Sequence, residues 1–167
     1  MTCSQAMFTD FVSATPDDTV DHALKLLEKH GIRSIPVLDS EGALTGFFHF
    51  RRLLAKLLPF SGETDLMGTT ARGGLIDRDF KFTSVIGSGA ELKCSEQLNT
   101  LLSARLRDVT DTDFEVAHPD TPLMETIRIL IKYRGPLPVV NKGEKKLIAL
   151  VTVQSMMQAL KRIAAEQ

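Results

Sequence analysis

Apolar positions fall into two series that repeat one another in order. In the first, Phe11-Val12-Ser13-Ala14 reads as a short strand that Pro16 stops. Val20, Ala23, Leu24 and Leu27 recur at helical spacing, with Leu26 widening the stripe, so a helix is predicted through His30. Asp18 is its expected N-cap, Asp21 adds negative charge in the first turn, and Gly31 is the expected left-handed cap. Ser34 to Leu38 is the next predicted strand. Asp39-Ser40-Glu41-Gly42 has the Asp-first, Gly-last pattern of a type I turn, and Leu44 to Phe48 returns as the hairpin partner. A short helix, Arg51 to Leu58, carries Leu53, Leu54, Leu57 and Leu58.

The second series keeps this order. Phe114 to Ala117 is the strand, and Thr121 is expected to cap a helix that starts at Pro122, where a missing N–H costs nothing. Leu123, Met124, Ile127, Leu130 and Ile131 supply its apolar side. Leu137 to Val140 and Lys146 to Thr152 form a hairpin around Asn141-Lys142-Gly143-Glu144, and a last helix, about Ser155 to Ala164, carries Met156, Met157, Leu160 and Ile163. The interval from Pro119 to Pro138 is one residue shorter than that from Pro16 to Pro36, and the following turn is one residue longer, so Gly46 and Ala149 realign. Compensating changes confined to a loop and a turn are what a structural repeat tolerates.

The expected fold is α/β of the α+β type: two βαββα repeats, residues 4–59 and 104–163, packed through their sheets with pseudo-twofold symmetry. Each repeat, at about 50–60 residues, is marginal alone and needs the other to cover its apolar face. Residues 60–103 form an inserted linker belonging to neither copy. Asp79 to Ile86 alternates like a strand, and about Glu91 to Arg105 reads as a helix. Gly87-Ser88-Gly89 stands before that helix, but its spacing matches neither GxGxxG nor a P-loop, so an ordinary turn is the reading.

Composition narrows the picture. At 43% hydrophobic and 25% charged, the chain has enough apolar residues for a packed core, and a net charge of -1 gives no reason to expect a nucleic-acid partner. No apolar run reaches the ~18 residues of a membrane helix. The N-terminus lacks the basic and apolar regions of a secretion signal. Cys3 and Cys94 fit no metal or redox spacing, so two reduced thiols in a cytoplasmic protein are expected. His22, His30, His49 and His118 make no metal pair, and no nucleophile motif is visible, so neither a metal site nor catalysis is expected.

The order strand, Pro-Asp, helix, Pro-Val strand, Gly-hydrophobic-hydrophobic and helix, occurring twice, resembles the CBS domain. Two in tandem resemble a CBS pair, or Bateman module. The resemblance implies a homodimer with no obligatory cofactor, whose clefts bind an adenosine-type nucleotide (AMP, ADP, ATP or S-adenosylmethionine) or another anionic metabolite. It implies a regulatory role in which an effector protein, not yet identified, reads a ligand-driven change in the angle between repeats or monomers. Carried onto this chain, the first cleft involves Val12, Ser13, Arg33, Ser34, Ile35, Pro36, His49 and Arg52. The second involves Val116, Arg134, Leu137, Pro138, Thr152 and Ser155. The family pattern there is Gly-h-h-Thr/Ser-x-x-Asp: the hydroxyl meets phosphate and the Asp carboxylate accepts both ribose hydroxyls. This chain departs from it. His49 and Arg52 stand at the Thr and Asp positions of the first copy, and Ser155 replaces the Asp of the second, which keeps Thr152. A lost bond to a charged group costs about 1.5–3 kcal/mol. Arg52, with Arg33 and His49, would make the first cleft cationic, the alternative being that Arg51 and Arg52 are only a solvated helix start, while the second stays nearer the pattern. A degenerate pair serving only as a dimerisation or interaction scaffold is the alternative.

Overall fold

Two prolines in mid-strand decide how the sheets are built. The computed structural model describes residues 1–56 and 88–166, with the backbone alone over 88–95. Strand β1 (Ser34–Leu38) pairs antiparallel with β2 (Leu44–His49), and β3 (Leu137–Val140) with β4 (Leu147–Val151). Pro36 sits opposite Phe47, and Pro138 opposite Leu150. A proline has no N–H to give, so the residue facing it turns both backbone groups to its other edge. There Phe47 exchanges two bonds with Asp111 (2.9 and 2.8 Å), and Leu150 exchanges two with Phe8 (3.0 and 2.9 Å).

The same prolines correct the predicted first strands. Phe11 to Ala14 and Phe114 to Ala117 each supply one residue of parallel pairing, Ala14 to Val37 and Ala117 to Val139. Ala14 N–H donates to the Pro36 carbonyl (3.0 Å), and the Ala14 carbonyl accepts from Leu38 N–H (2.8 Å). Extending the ladder back to Val12 would need an N–H from Pro36, and in the second copy one from Pro138. Neither exists, so the pairing stops at one alanine.

The helices follow the apolar stripes, with their caps shifted. Helix α1 is Val20–His30; its N-cap is Thr19, whose Oγ1 accepts from His22 N–H (3.2 Å), not Asp18. Asp18 instead accepts from Thr15 N–H (2.8 Å) in the preceding turn. Gly31 ends α1 in the left-handed region at φ 62°. Helix α2 is Phe50–Lys56; Leu57 and Leu58 of its expected stretch lie outside the described residues. The helical stretch of the insertion is α3 (Ser88–Ser103), followed by a single turn, α4 (Leu106–Val109). The expected strand over 79–86 and Gly87 lie outside the described residues. Helix α5 (Leu123–Tyr133) has Pro122 as N-cap, because Thr121 Oγ1 is already bonded by His118 N–H (2.9 Å). Helix α6 (Val153–Ala165) begins two residues earlier than its stripe implied, because Thr152 caps it.

The repeats of sequence are not two separate bodies in space. The 3-10 turn Cys3–Gln5 opens the first repeat but bonds the second: Cys3 N–H to Thr121 O (2.8 Å), Ser4 N–H to Pro119 O (3.1 Å). Cys3 and Ala6 are buried in one core with Leu123, Leu130, Val139, Val151 and Met156. In return Leu106 N–H donates to Asp18 O (2.9 Å) and Arg107 N–H to Pro16 O (3.1 Å). Leu106 is buried among Val20, Leu27, Ile35, Val37 and Phe48, and α3 reaches the same core through Leu101 and Leu102. Each half is therefore completed by the segment leading into the other. A third apolar cluster around Phe47, Leu147 and Leu150 joins the halves, and Ala43 pairs with Lys146 where the two hairpin turns meet.

Candidate functional site

The exchange of leading segments puts a residue of one repeat against the ligand-pattern residues of the other. Beside β2 the incoming residue is Asp111. Its Oδ2 lies 2.9 Å from Arg52 and 3.9 Å from His49 Nε2, while Oδ1 accepts from Asp113 N–H at 3.1 Å. The Asp111 side chain is only 10% exposed, against 42% for Arg52 and 27% for His49. His49 stacks on Phe47 with ring centres 5.8 Å apart, and Phe114 meets Phe47 edge-on. Across the halves, a Cβ added at Gly135 would stand 3.5 Å from His49 Cε1. Burial first, then the Arg52 charge, hold the imidazole below the ordinary histidine range, with Asp111 partly opposing them.

This arrangement does not give a cationic cleft. The Arg52 charge is matched by Asp111, and its imidazole neighbour favours the neutral form. Arg33 is exposed and meets the group only through its carbonyl, which accepts from Phe50 N–H (3.0 Å). Ser34 faces His49 across the hairpin. Pro36 is buried, and Ile35 is 0% exposed inside the first core, because strand alternation turns it away from Ser34 and His49. Val12 is half-buried against that core and Ser13 is exposed.

Beside β4 the same positions hold different chemistry. Phe8 stands where Asp111 does, Thr152 where His49 does, and Ser155 where Arg52 does. Thr152 and Ser155 form a reciprocal cap: Ser155 N–H donates to Thr152 Oγ1 (3.1 Å) and Thr152 N–H to Ser155 Oγ (2.9 Å). The Ser155 hydroxyl donates to Thr152 O (3.1 Å), so its proton is committed. Thr152 Oγ1 accepts a bond and keeps its own proton to give. A shallow depression borders the cap, lined by Met7, Phe8, Ser155, Gln158, Lys161 and Arg162. Arg162 is tied there to the Gln5 carbonyl (2.7 Å). Leu137 and Pro138 are buried, Leu137 in the second core, and Val116 is exposed. Arg134 ends α5 at φ 51°, the one non-glycine residue with positive φ among those described; its backbone N–H caps the helix at the Leu130 carbonyl and its side chain is exposed.

The residue that reasoning from sequence missed is Asp111. Its place could be aligned, since Asp111 follows Phe8 by the same interval as Pro119 follows Pro16, but which hairpin its segment joins is not written in that spacing. A carboxylate is thus restored to the first cleft, but from the leading segment and already bonded. Neither cleft shows, among the described residues, a carboxylate free to clasp a ribose. Among the described residues no group of His, Cys, Asp and Glu is arranged to hold a metal ion, and no helix is long and apolar enough to cross a membrane.

The comparisons with known proteins agree with this architecture. The crystal structure of the CBS-pair protein CBSX2 from Arabidopsis thaliana superposes with a TM-score of 0.69 at 21% identity, covering 98% of this chain and 96% of that one. CBSX2 in complex with AMP superposes at 0.66 and 20% identity, covering 98% of both chains. An uncharacterized protein of Methanocaldococcus jannaschii, MJ1426, is 26% identical over 145 residues, 86% of this chain and 82% of its own. The CBS domain model matches residues 3–59 and again 106–162, well over half of the sequence. The chain belongs to the CBS-domain family and carries two such domains in tandem.

Proposed function

We propose that this CBS pair is a regulatory sensor that binds an adenosine-type nucleotide or another anionic metabolite in its second cleft, beside Thr152. CBS pairs are regulatory ligand-binding modules and generally not catalysts. The observation that carries the reading is the Thr152 hydroxyl. It is held at the N-terminus of α6 by its own cap, with its proton uncommitted among the described hydrogen bonds, and its cap partner Ser155 borders the depression that Lys161 and Arg162 also line. AMP, ADP, ATP and S-adenosylmethionine are the ligands to try first, the complex of CBSX2 with AMP pointing the same way. Binding acts on a partner protein only if the ligand prefers one arrangement of the halves. The sensor works as a homodimer. Support comes from α6, where Val153, Met157 and Leu160 line one exposed apolar stripe at 72%, 50% and 43% exposure.

The test is thermal unfolding with each ligand, followed by calorimetry. A ligand at 100 times its dissociation constant stabilises by about 2.7 kcal/mol, a shift of several degrees in a domain of this size. Thr152→Asn keeps a capping side chain but alters the hydroxyl, and Thr152→Ser keeps both. Affinity should fall in the first variant and survive in the second. Equal affinity in both would remove Thr152 from the site. No response to any ligand would favour the scaffold reading, which the missing helix carboxylates support.

A further inference from the structure

We propose that Asp111 sets what the first cleft accepts: it is a built-in counter-ion on Arg52 that bars phosphate-bearing ligands. Three observations lead there. The first is that the backbone of Asp111 is fixed independently of its side chain, by the two bonds it exchanges with Phe47. The carboxylate has little freedom to leave, and at 10% exposure water screens it weakly. The second is that both its oxygens are engaged, Oδ2 with Arg52 at 2.9 Å and Oδ1 with Asp113 N–H at 3.1 Å. A phosphate reaching for Arg52 would have to displace a carboxylate already there, or sit beside it as a like charge. The third is the second half, where the pair is missing as a pair. Phe8 replaces Asp111, Ser155 replaces Arg52, and Phe8 keeps the same two backbone bonds to Leu150. The backbone contact therefore does not need the carboxylate. The side chain is free to serve the cleft, and in the first half it neutralises the one cation that the ligand pattern puts there.

The consequence is division of labour: the two clefts do not compete for one nucleotide. Phosphate chemistry is confined to the Thr152 side, and in the first cleft the Phe47, His49 and Phe114 rings stand beside an ion pair with no net charge. The part concerning nucleotides rests on the proposed function above. The part concerning phosphate does not.

His49 is the reporter, since its ring lies on Asp111. In the full chain with isotope-labelled histidine, the His49 ring signal, assigned with His49→Gln, is followed by NMR at fixed neutral pH and ionic strength. Inorganic phosphate and AMP are the probes. In the wild type the signal should stay put with both at millimolar concentration. In Asp111→Asn it should move and saturate, with apparent affinity raised at least about tenfold. Asp111→Ser, which keeps the backbone pairing and shortens the side chain, should do the same if the first variant is poorly folded. Adding Arg52→Gln should abolish the response. A wild-type response as strong as the variant's would overturn the proposal, as would silence in both folded variants. Calorimetry on the wild type with AMP separates the two readings. Absence of heat there would count against the proposed sensor and leave the phosphate result on Asp111 standing.

Discussion

The two clefts are built on matching hairpins and differ most in three side chains. Beside β2 stand His49, Arg52 and Asp111; beside β4 stand Thr152, Ser155 and Phe8. The first set is an ion pair with a neutral imidazole against it. The second is a hydroxyl cap flanked by an aromatic ring. The strand framework around these side chains is the same: a strand proline, a hairpin partner with a spare edge, and a residue from the other repeat taking that edge. Duplication preserved what holds the halves together. The ligand chemistry diverged at positions where side chains face the cleft and the backbone bonds do not depend on them.

The largest expected effect tests the exchange of segments. Leu106 belongs to the second repeat by sequence and is 0% exposed in the core of the first half. Leu106→Ala should cost about 2–5 kcal/mol, as buried leucine truncations do. Amide exchange should show the loss first in α1, β1 and β2. Loss of protection in α5 and α6 instead would mean that the halves are not built by exchange. The counterpart in the second core is the smaller Cys3, whose thiol burial pushes above the usual range, so Cys3→Ala should cost less.

Gly46 tests why the halves differ on the same edge. A Cβ there would lie 2.5 Å from the Asp111 carbonyl oxygen and clash with the Thr110 methyl. Ala149 occupies the corresponding place beside β4 and is fully buried. Gly46→Ala should therefore cost about 1–3 kcal/mol, as overpacking does, while Ala149→Gly should cost about 0.5–1 kcal/mol. Urea unfolding of the two variants measures both. Equal costs would mean that Asp111 approaches β2 no more closely than Phe8 approaches β4.

The framework was legible in the sequence because it rests on local physics. Helical stripes, the left-handed cap at Gly31 and the two hairpins follow from spacing and turn chemistry over short stretches, and the structure has them over the described residues. The misplacements came from choices between neighbours. Asp18 and Thr19 can each cap α1, and the turn at Thr15 claims Asp18. The strand prolines looked like strand members, which they are, but their missing N–H also limits the first strands to one residue. Asp111 was out of reach for a different reason. Its role depends on which repeat its segment joins, a non-local fact that periodicity does not encode. Ile35 and Leu137 were assigned to the clefts by resemblance, and strand alternation buries both in the cores.

The smallest effect is a pH dependence that only the first half should show. The His49 imidazole is held below its ordinary 6.5 by burial and by Arg52. The unfolded chain therefore binds the proton more readily than the folded one. Stability contributed by the neutral ring is complete above about 6.5 and declines as pH falls through that value toward the lower folded one. Thr152 occupies this place in the second half and does not titrate. Acidification across that window should loosen amides of β1 and β2 more than those of β3 and β4. His49→Gln should remove the difference between the halves. If the halves lost protection equally in the wild type, or if the glutamine variant kept the asymmetry, the imidazole would not be its source. Asp111→Asn sharpens the comparison. It takes away the one charge that favours the protonated ring, so the loss should extend to lower pH, provided Arg52 stays in place.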